Sequence, residues 1–439
     1  MHILLISHFF PPLNEVASIR AFCFAKFWER SGVKVTVLTS NKVKNKGVKN
    51  LIKELPPTVN VIEADYKTFF PSANSKMQAD ENNITAAFNQ KVENKHKKSL
   101  KKMAWNAMMY TGLNQHELYF WTKSALSVAE EIIEKENVTH IFSTYSPIQS
   151  HLIGSGLKKK YPRIKWTADY RDLWAINHIE RPRGIFNNLN KWLEKHTVHN
   201  KADLITVISP PLKEKLESFF PGNRVEVIYN GYDPDEYKAE LTAEIPSKIA
   251  ATGRTISIAY LGTIYEGFRD PTPIFTALNE LLSEGRIEQD DYVINFYGLR
   301  LGNLSEIIAR CDASRWAKII GQVDYETSKK VQQQADLLLF LESSDISAQG
   351  VLPGKLFEYI MSGTPIVGIG IDNTTSSGEV LINSNSGVVL GKDVRAIKQF
   401  LVEYRDTPEK YNFRTDREFF NSFSREYQSS LLLNEMRNL

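Results

Sequence analysis

Short apolar runs alternate along this chain with stretches whose apolar residues fall three and four positions apart. Residues 3–6 are continuously apolar, residues 16–30 place Val16, Ile19, Cys23 and Phe27 at helical spacing, and residues 33–38 are rich in β-branched side chains. Further apolar runs occur at 59–62, 138–142, 164–168 and 204–208, with helical patterns such as 121–135 between them. Strands buried on both faces read as unbroken apolar runs, so the pattern predicts a parallel sheet built from βα units. A second series starts at 256–261 and continues through 292–297, 317–320, 335–341 and 365–369. Between the two series, residues 230–254 hold an Asn-Gly turn, two prolines and many polar side chains, as a linker does.

This reading divides the chain into residues 1–230, residues 231–406 and a helical tail, 407–439. The tail has apolar positions at Phe419, Phe420, Phe423, Leu431, Leu432 and Met436 and no strand of its own, so it is expected to pack across the existing domains. One stretch, 66–116, lacks a convincing strand and reads as an insertion. Within it Lys91, Lys95, Lys97, Lys98, Lys101 and Lys102 run into Met103, Trp105, Met108, Met109 and Tyr110. A basic segment followed by aromatic and Met side chains suits a helix lying on an anionic membrane, and suits equally a solvated loop beside a packed helix.

Length and composition agree with two folded domains. The 439 residues are 42% hydrophobic and 24% charged, which excludes wholesale disorder and a disulfide-stapled mini-protein. Lys and Arg total 54 against 51 acidic residues, too small a surplus for a dedicated nucleic-acid binder. Cys23 and Cys311 are far apart with no Cys-x-x-Cys or His cluster, which suits a reducing compartment and two buried apolar thiols. The first residues lack a basic leader, and the stretch 140–157, free of Asp, Glu, Lys and Arg, is full of Ser, Gln, Gly and Pro. A cytoplasmic protein is expected, with at most peripheral membrane contact through 91–110.

The richest chemistry follows the run 335–341. Pro353 suits the first position of a helix, and Gly363 and Pro365 suit its end, which predicts a helix over 353–362. Its amino end then lies beyond the carboxyl end of a parallel strand, where open α/β sheets bind ligands and where free N–H groups favour phosphate. Lys355 falls in the first turn, where a cation opposes the helix dipole unless an anion joins it. Glu358, three residues on, can accept ribose hydroxyls while Lys355 faces a diphosphate. The plainer alternative is an exposed i,i+3 ion pair.

The segment Pro353-Gly-Lys355-Leu-Phe-Glu358-Tyr359, followed by Ser362-Gly-Thr-Pro-Ile-Val367, resembles the donor-site helix of GT-B glycosyltransferases of the retaining family 4 type. Other landmarks fall in matching order: Ser7-His-Phe-Phe-Pro-Pro12, Asp169-Tyr-Arg-Asp-Leu-Trp174, Asn230-Gly-Tyr-Asp233, Gly262-Thr263 and Ala335-Asp336. The resemblance implies two Rossmann-like domains facing across a cleft, with a C-terminal helix crossing back to the first. It implies that Glu358 holds the ribose, that Lys355 and Arg269 neutralise the diphosphate, and that Gly262, Thr263, Gly354 and Leu356 complete the donor set with Val323 near the base. No metal and no cofactor is implied. The donor is a nucleoside diphosphate sugar and the acceptor a glycan or polyprenyl-linked sugar, as in surface polysaccharide assembly.

Two positions depart from that pattern. A glutamate usual eight residues before Glu358 is Gly350 here, and a glycine pair usual in the first βα loop is Asn14-Glu15. On the acceptor side, His8 ends the first strand, Asp169, Arg171 and Asp172 end another, and Trp174 offers an apolar wall. Asp172 is the expected site carboxylate, with His8, Asn14 and Trp174 contacting the acceptor and Asp169 and Arg171 an internal pair as readily as site residues. Asp233-Pro-Asp235 imitates a metal motif but follows a turn, and Gly154-Ser-Gly156 reads as packing. Two other readings share these features: a nucleotide-sugar 2-epimerase, and a non-catalytic membrane-associated subunit that would not need Lys355 and Glu358.

Overall fold

The computed structural model describes residues 1–12, 16–41, 51–65, 119–176, 185–237, 255–264, 269–299, 301–342, 350, 352–411 and 413–439. The insertion at 66–116 with its lysines, Asn14 and Glu15, and the linker from 238 to 254 lie outside them. The chain packs as two compact units, one comprising Met1–Val207, Lys215–Glu226 and Asn434–Leu439, the other Ile208–Glu214 and Val227–Leu433.

The first unit is built on β1 (His2–Ile6), α1 (Val16–Arg30), β2 (Lys34–Ser40), β3 (Asn60–Ala64), α2 (Tyr119–Glu136), β4 (His140–Tyr145), α3 (Gln149–Lys160), β5 (Lys165–Tyr170), α4 (Ile185–Val198), β6 (Leu204–Val207), the second half of α5 (Pro210–Phe219), whose residues up to Glu214 belong to the second unit, and β7 (Val225–Val227), which ends at the boundary. Its sheet runs in the order β3-β2-β1-β4-β5-β6-β7, and the pairs from β3 to β6 are parallel. β1 is buried along its whole length, as an apolar run with helices on both sides must be. Gly154 reads out as packing: a methyl group built on it would meet the Trp166 indole at 2.5 Å. β7 escaped the sequence reading because three residues carry too little pattern.

The second unit continues with β8 (Ile256–Leu261), α6 (Thr272–Ser283), β9 (Tyr292–Tyr297), α7 (Leu304–Arg310), β10 (Ala317–Gly321), α8 (Tyr325–Gln334), β11 (Leu337–Leu341), α9 (Gly354–Met361), β12 (Ile366–Ile369), α10 (Ser376–Asn383), β13 (Gly387–Gly391), α11 (Val394–Asp406), α12 (Arg417–Asn421) and α13 (Arg425–Arg437). Its sheet order, β10-β9-β8-β11-β12-β13, repeats the topology of the first, with every pair parallel. In both sheets the strand order reverses beside the first strand, at β1/β4 and at β8/β11. Loops leave in opposite directions there and open a ligand crevice at the carboxyl ends.

Three expectations change. Cys23 is buried but Cys311, just past α7, is only partly so. The tail is two helices rather than one: Asp416 caps α12 by accepting from the Phe419 N–H, and the chain turns at Ser422–Ser424 before α13. Gly231 does more than turn a linker, since a methyl group there would lie 1.7 Å from the Phe423 carbonyl oxygen, and Arg425 N–H donates to Tyr232 O at 2.9 Å. Only glycine lets these backbones approach so closely.

Candidate active site

Four elements of the second unit end together at the β8/β11 crevice. β8 leads into Gly262-Thr263, β9 into Gly298, β11 into Glu342, and α9 starts at Gly354. Gly262 has φ +146°, and a methyl group on Gly298 would lie 2.1 Å from the Gly262 carbonyl oxygen, so the two loops pass with bare backbone. α9 is fixed by its apolar face: Leu356, Phe357, Tyr359, Ile360 and Met361 are buried. Each is worth about 1.5–3 kcal/mol when fully withdrawn from water. The Tyr359 phenol clamps the helix to the strand, its oxygen accepting the Leu261 N–H at 2.8 Å and its hydroxyl facing the Leu261 carbonyl at 3.2 Å.

Pro353 precedes α9 in extended conformation with no side-chain cap. The expected helix therefore starts one residue later; the Leu356 N–H donates to the Pro353 carbonyl at 3.1 Å, while Gly354 and Lys355, at the first two positions, have no helical carbonyl a turn behind them. Lys355 lies in that turn. Its Nζ is buried without a hydrogen-bond partner, 4.7 Å from the centre of the Tyr260 ring and 5.0 Å from that of Phe340. A methyl group built on Gly262 would stand 3.7 Å from it. Burial pushes the Lys355 amine down to about 7 and nearby Arg269 adds to the fall, while Glu342 opposes it.

Arg269 lies beside the same loop. Its Nη2 donates to Glu342 Oε2 at 3.1 Å, its Nε faces Glu342 Oε1 at 3.4 Å, and its Nη1 faces the Thr263 carbonyl at 3.3 Å. Tyr260 donates its hydroxyl to that carbonyl at 2.7 Å. Glu358 is half-buried on α9, Gly354 is exposed, and Leu356 is buried. Val323, half-buried, follows β10. Two cations thus meet at one helix amino end with one carboxylate between them in charge, an arrangement suited to a polyanion. Sequence reading missed Glu342, Tyr260 and Phe340. Tyr260 and Phe340 are next to last in the two strands that flank the switch point and Glu342 follows the second, a placement that only the strand pairing reveals.

Residues 112–236 match the sequence model of Glycosyltransferase Family 4. No curated protein matches the sequence. Among solved structures the chain is similar to sucrose-phosphate synthase from Thermosynechococcus elongatus, with a TM-score of 0.62, 14% identity and coverage of 100% of this chain and 98% of that one. It is also similar to Anabaena HepE in complex with UDP, at 0.60 and 12% with 100% of both chains covered. The lipopolysaccharide outer core galactosyltransferase WaaB gives 0.57 and 12%, covering 100% and 99%. The chain has a GT-B fold.

In GT-B terms Gly262, Thr263, Arg269, Lys355 and Glu358 belong to the second Rossmann-like unit, and His8, Asp172 and Trp174 to the first. Gly350, where a glutamate was noted as usual, has φ +93°, and a methyl group there would lie 2.7 Å from Ser209 Oγ. That backbone conformation and the close Ser209 hydroxyl disfavour a side chain, which gives the departure a steric cause. His8 is buried, its ring edge-on to Trp121 at 5.1 Å. Trp174 is buried and stacks on Tyr145 at 6.2 Å. Asp172 is exposed and accepts from Arg171 Nε at 3.1 Å.

Asp169 is fully buried, its carboxylate accepting from Arg20 at 2.8 and 3.1 Å and from Thr144 and Thr206 at 2.8 Å each. Burial raises its proton affinity, but these donors hold it below the usual carboxylate range. It braces β5 rather than meeting a substrate. Glu194 on α4 is also buried, and its Oε2 accepts the Ala175 N–H at 2.8 Å, tying down the loop that carries Asp172 and Trp174. Burial pushes this carboxyl up to about 8. Asp233 Oδ1 accepts from the Asp235 N–H at 3.0 Å and shapes a turn. Among the described residues no group of His, Cys, Asp and Glu is arranged to hold a metal, and no helix is long and apolar enough to cross a membrane.

Proposed function

We propose that this chain transfers a sugar from a nucleoside diphosphate sugar to a hydroxyl of a glycan or polyprenyl-linked acceptor, with retention of anomeric configuration, in surface polysaccharide assembly. The observation that carries the reading is the buried, unpartnered Nζ of Lys355 at the amino end of α9, beside the bare backbone of Gly262. Lys355 and Arg269 stabilise the departing diphosphate, and Glu358 accepts from the ribose hydroxyls. Backbone of Gly262, Thr263, Gly354 and Leu356 approaches the phosphates, and Val323 lies by the base. The bond from the anomeric carbon to the diphosphate oxygen breaks as the acceptor oxygen bonds to that carbon. The acceptor proton passes to a leaving-phosphate oxygen, so no protein base and no metal is required. Asp172, His8, Asn14 and Trp174 form the acceptor side.

The neighbour HepE was solved with UDP and with UDP-glucose, which makes uridine nucleotides the first probes. Thermal shift across a panel of nucleotide sugars tests the donor, and product analysis with donor alone and with acceptor separates transfer from epimerisation. Stabilisation by no nucleotide sugar defeats the reading. The segment 91–110 is proposed to hold the enzyme to anionic membranes, each lysine contributing about 1 kcal/mol. Vesicle sedimentation of the parent and of a variant with Lys97, Lys98, Lys101 and Lys102 changed to Gln tests it, and equal sedimentation rejects it.

A further inference from the structure

We propose that Glu342 is an internal counter-ion of the donor site, occupying Arg269 in the free protein and yielding it to a diphosphate, so that it grades ligands by phosphate charge. The inference rests on the reading above that Arg269 and Lys355 receive the diphosphate.

The carboxylate is held in place by the fold. Glu342 is the first residue past β11, and its N–H donates to the Ile369 carbonyl at 3.3 Å. Gly370 has φ +81°, and a methyl group on it would lie 2.1 Å from the Glu342 carbonyl oxygen, so Glu342 is packed closely at its own backbone. From there both carboxylate oxygens reach the guanidinium, and the pair is largely shielded, with side chains 16% and 14% exposed. The same guanidinium touches the Thr263 carbonyl, beside Gly262 and Lys355 Nζ. A carboxylate held beside the guanidinium that is to receive a phosphate opposes any phosphate that enters. A bound diphosphate carries the most charge and displaces the carboxylate best, a monophosphate carries less than a diphosphate, and a nucleoside carries none.

A carboxylate that only orients Arg269 predicts the opposite sign. It would keep the guanidinium aimed while phosphate bound elsewhere, and removing its charge would weaken the ligand. The neutral, isosteric Glu342→Gln separates the two roles. Calorimetry on the full chain with UDP, UMP and uridine is expected to show about tenfold tighter UDP binding in Glu342→Gln, a smaller gain for UMP and none for uridine. In the free protein, the pH at which Lys355 becomes reactive to an amine label is expected to fall in this variant, because a nearby negative charge is gone. Glu342→Asp, which keeps the charge, is expected to show no gain for UDP and provides the comparison if the Gln variant is unstable. UDP binding that is unchanged or weaker in Glu342→Gln, with parent binding intact and lost in Lys355→Ala, overturns the counter-ion and spares the donor site. A parent that binds none of UDP, ADP, GDP, CDP or dTDP overturns the donor site and the counter-ion with it.

Discussion

The Nζ of Lys355 lies 4.7 Å from the centre of the Tyr260 ring, while the Tyr260 hydroxyl is turned away to the Thr263 carbonyl at 2.7 Å. The amine therefore faces the ring's π cloud instead of an oxygen, a weak substitute for water. Burial, with the nearby Arg269 charge adding to it, pushes the amine down to about 7, and the ring contact offsets this only in part.

A proton-linked nucleotide affinity follows. The free amine titrates near 7, and a diphosphate favours the ammonium, so binding takes up a proton wherever the free amine is neutral and the bound one charged. Affinity is expected to be flat below about pH 7 and to fall as pH rises above it. Calorimetry in buffers of differing ionisation enthalpy should show uptake growing between pH 6 and 8, and Lys355→Met should abolish it. Uptake that persists in Lys355→Met assigns the proton elsewhere.

Glu358→Gln is expected to weaken nucleotide binding by about 1–3 kcal/mol, since it removes a charged acceptor of ribose hydroxyls while keeping the side chain's shape. The fold should be untouched, because Glu358 lies on the half-buried side of α9 and not among its core residues. Equal affinities for variant and parent would remove Glu358 from the site.

Much of this architecture was legible because parallel strands buried on both faces cannot hide: residues 3–6 and 256–261 read as apolar runs and are β1 and β8. β13 was not legible, since Gly387–Gly391 is half-buried throughout and bounded by glycines. Lys355 and Glu358 stood out in the sequence because they sit together on one short helix. Glu342 did not, because its partner Arg269 is 73 positions away and only the adjacency of β8 and β11 joins them. Asp169 shows the converse. Its motif suggested a site as readily as a brace, and only the fold reveals Arg20, from α1, closing over it.

Gly350→Ala is expected to cost about 1–3 kcal/mol of stability, as the new methyl group must be accommodated at φ +93° against Ser209 Oγ and against Leu212 Cγ, 3.0 Å away. Gly350→Glu should lose at least as much and gain no donor affinity, because the backbone that would present the carboxylate is strained. Denaturant unfolding together with nucleotide titration measures both, and a stable Gly350→Glu with tighter donor binding would show that the loop readily admits the side chain.

Glu194 gives the first unit a stability that declines with pH. Its carboxyl titrates near 8 in the folded protein against an ordinary 4.5, with burial as the main cause and the Ala175 N–H and Tyr170 hydroxyl opposing. Below about 4.5 both states hold the proton and the group contributes no slope. Between there and about 8 the unfolded chain releases it while the folded chain keeps it, so the folded state loses stability as pH rises. His151, which burial lowers to about 3 from 6.5, slopes the other way, but only below about 6.5. Lys355 also slopes the other way, from about 7 upward, so the parent's profile alone mixes these groups. The difference between parent and Glu194→Gln isolates the carboxyl, because Gln still presents an oxygen to the Ala175 N–H. At pH 8 the variant is expected to exceed the parent in stability by roughly 1–3 kcal/mol, and near pH 4 the two should converge. Denaturant unfolding at pH 4, 6 and 8 measures this, and a difference that does not grow with pH would mean that Glu194 is already ionised in the folded protein.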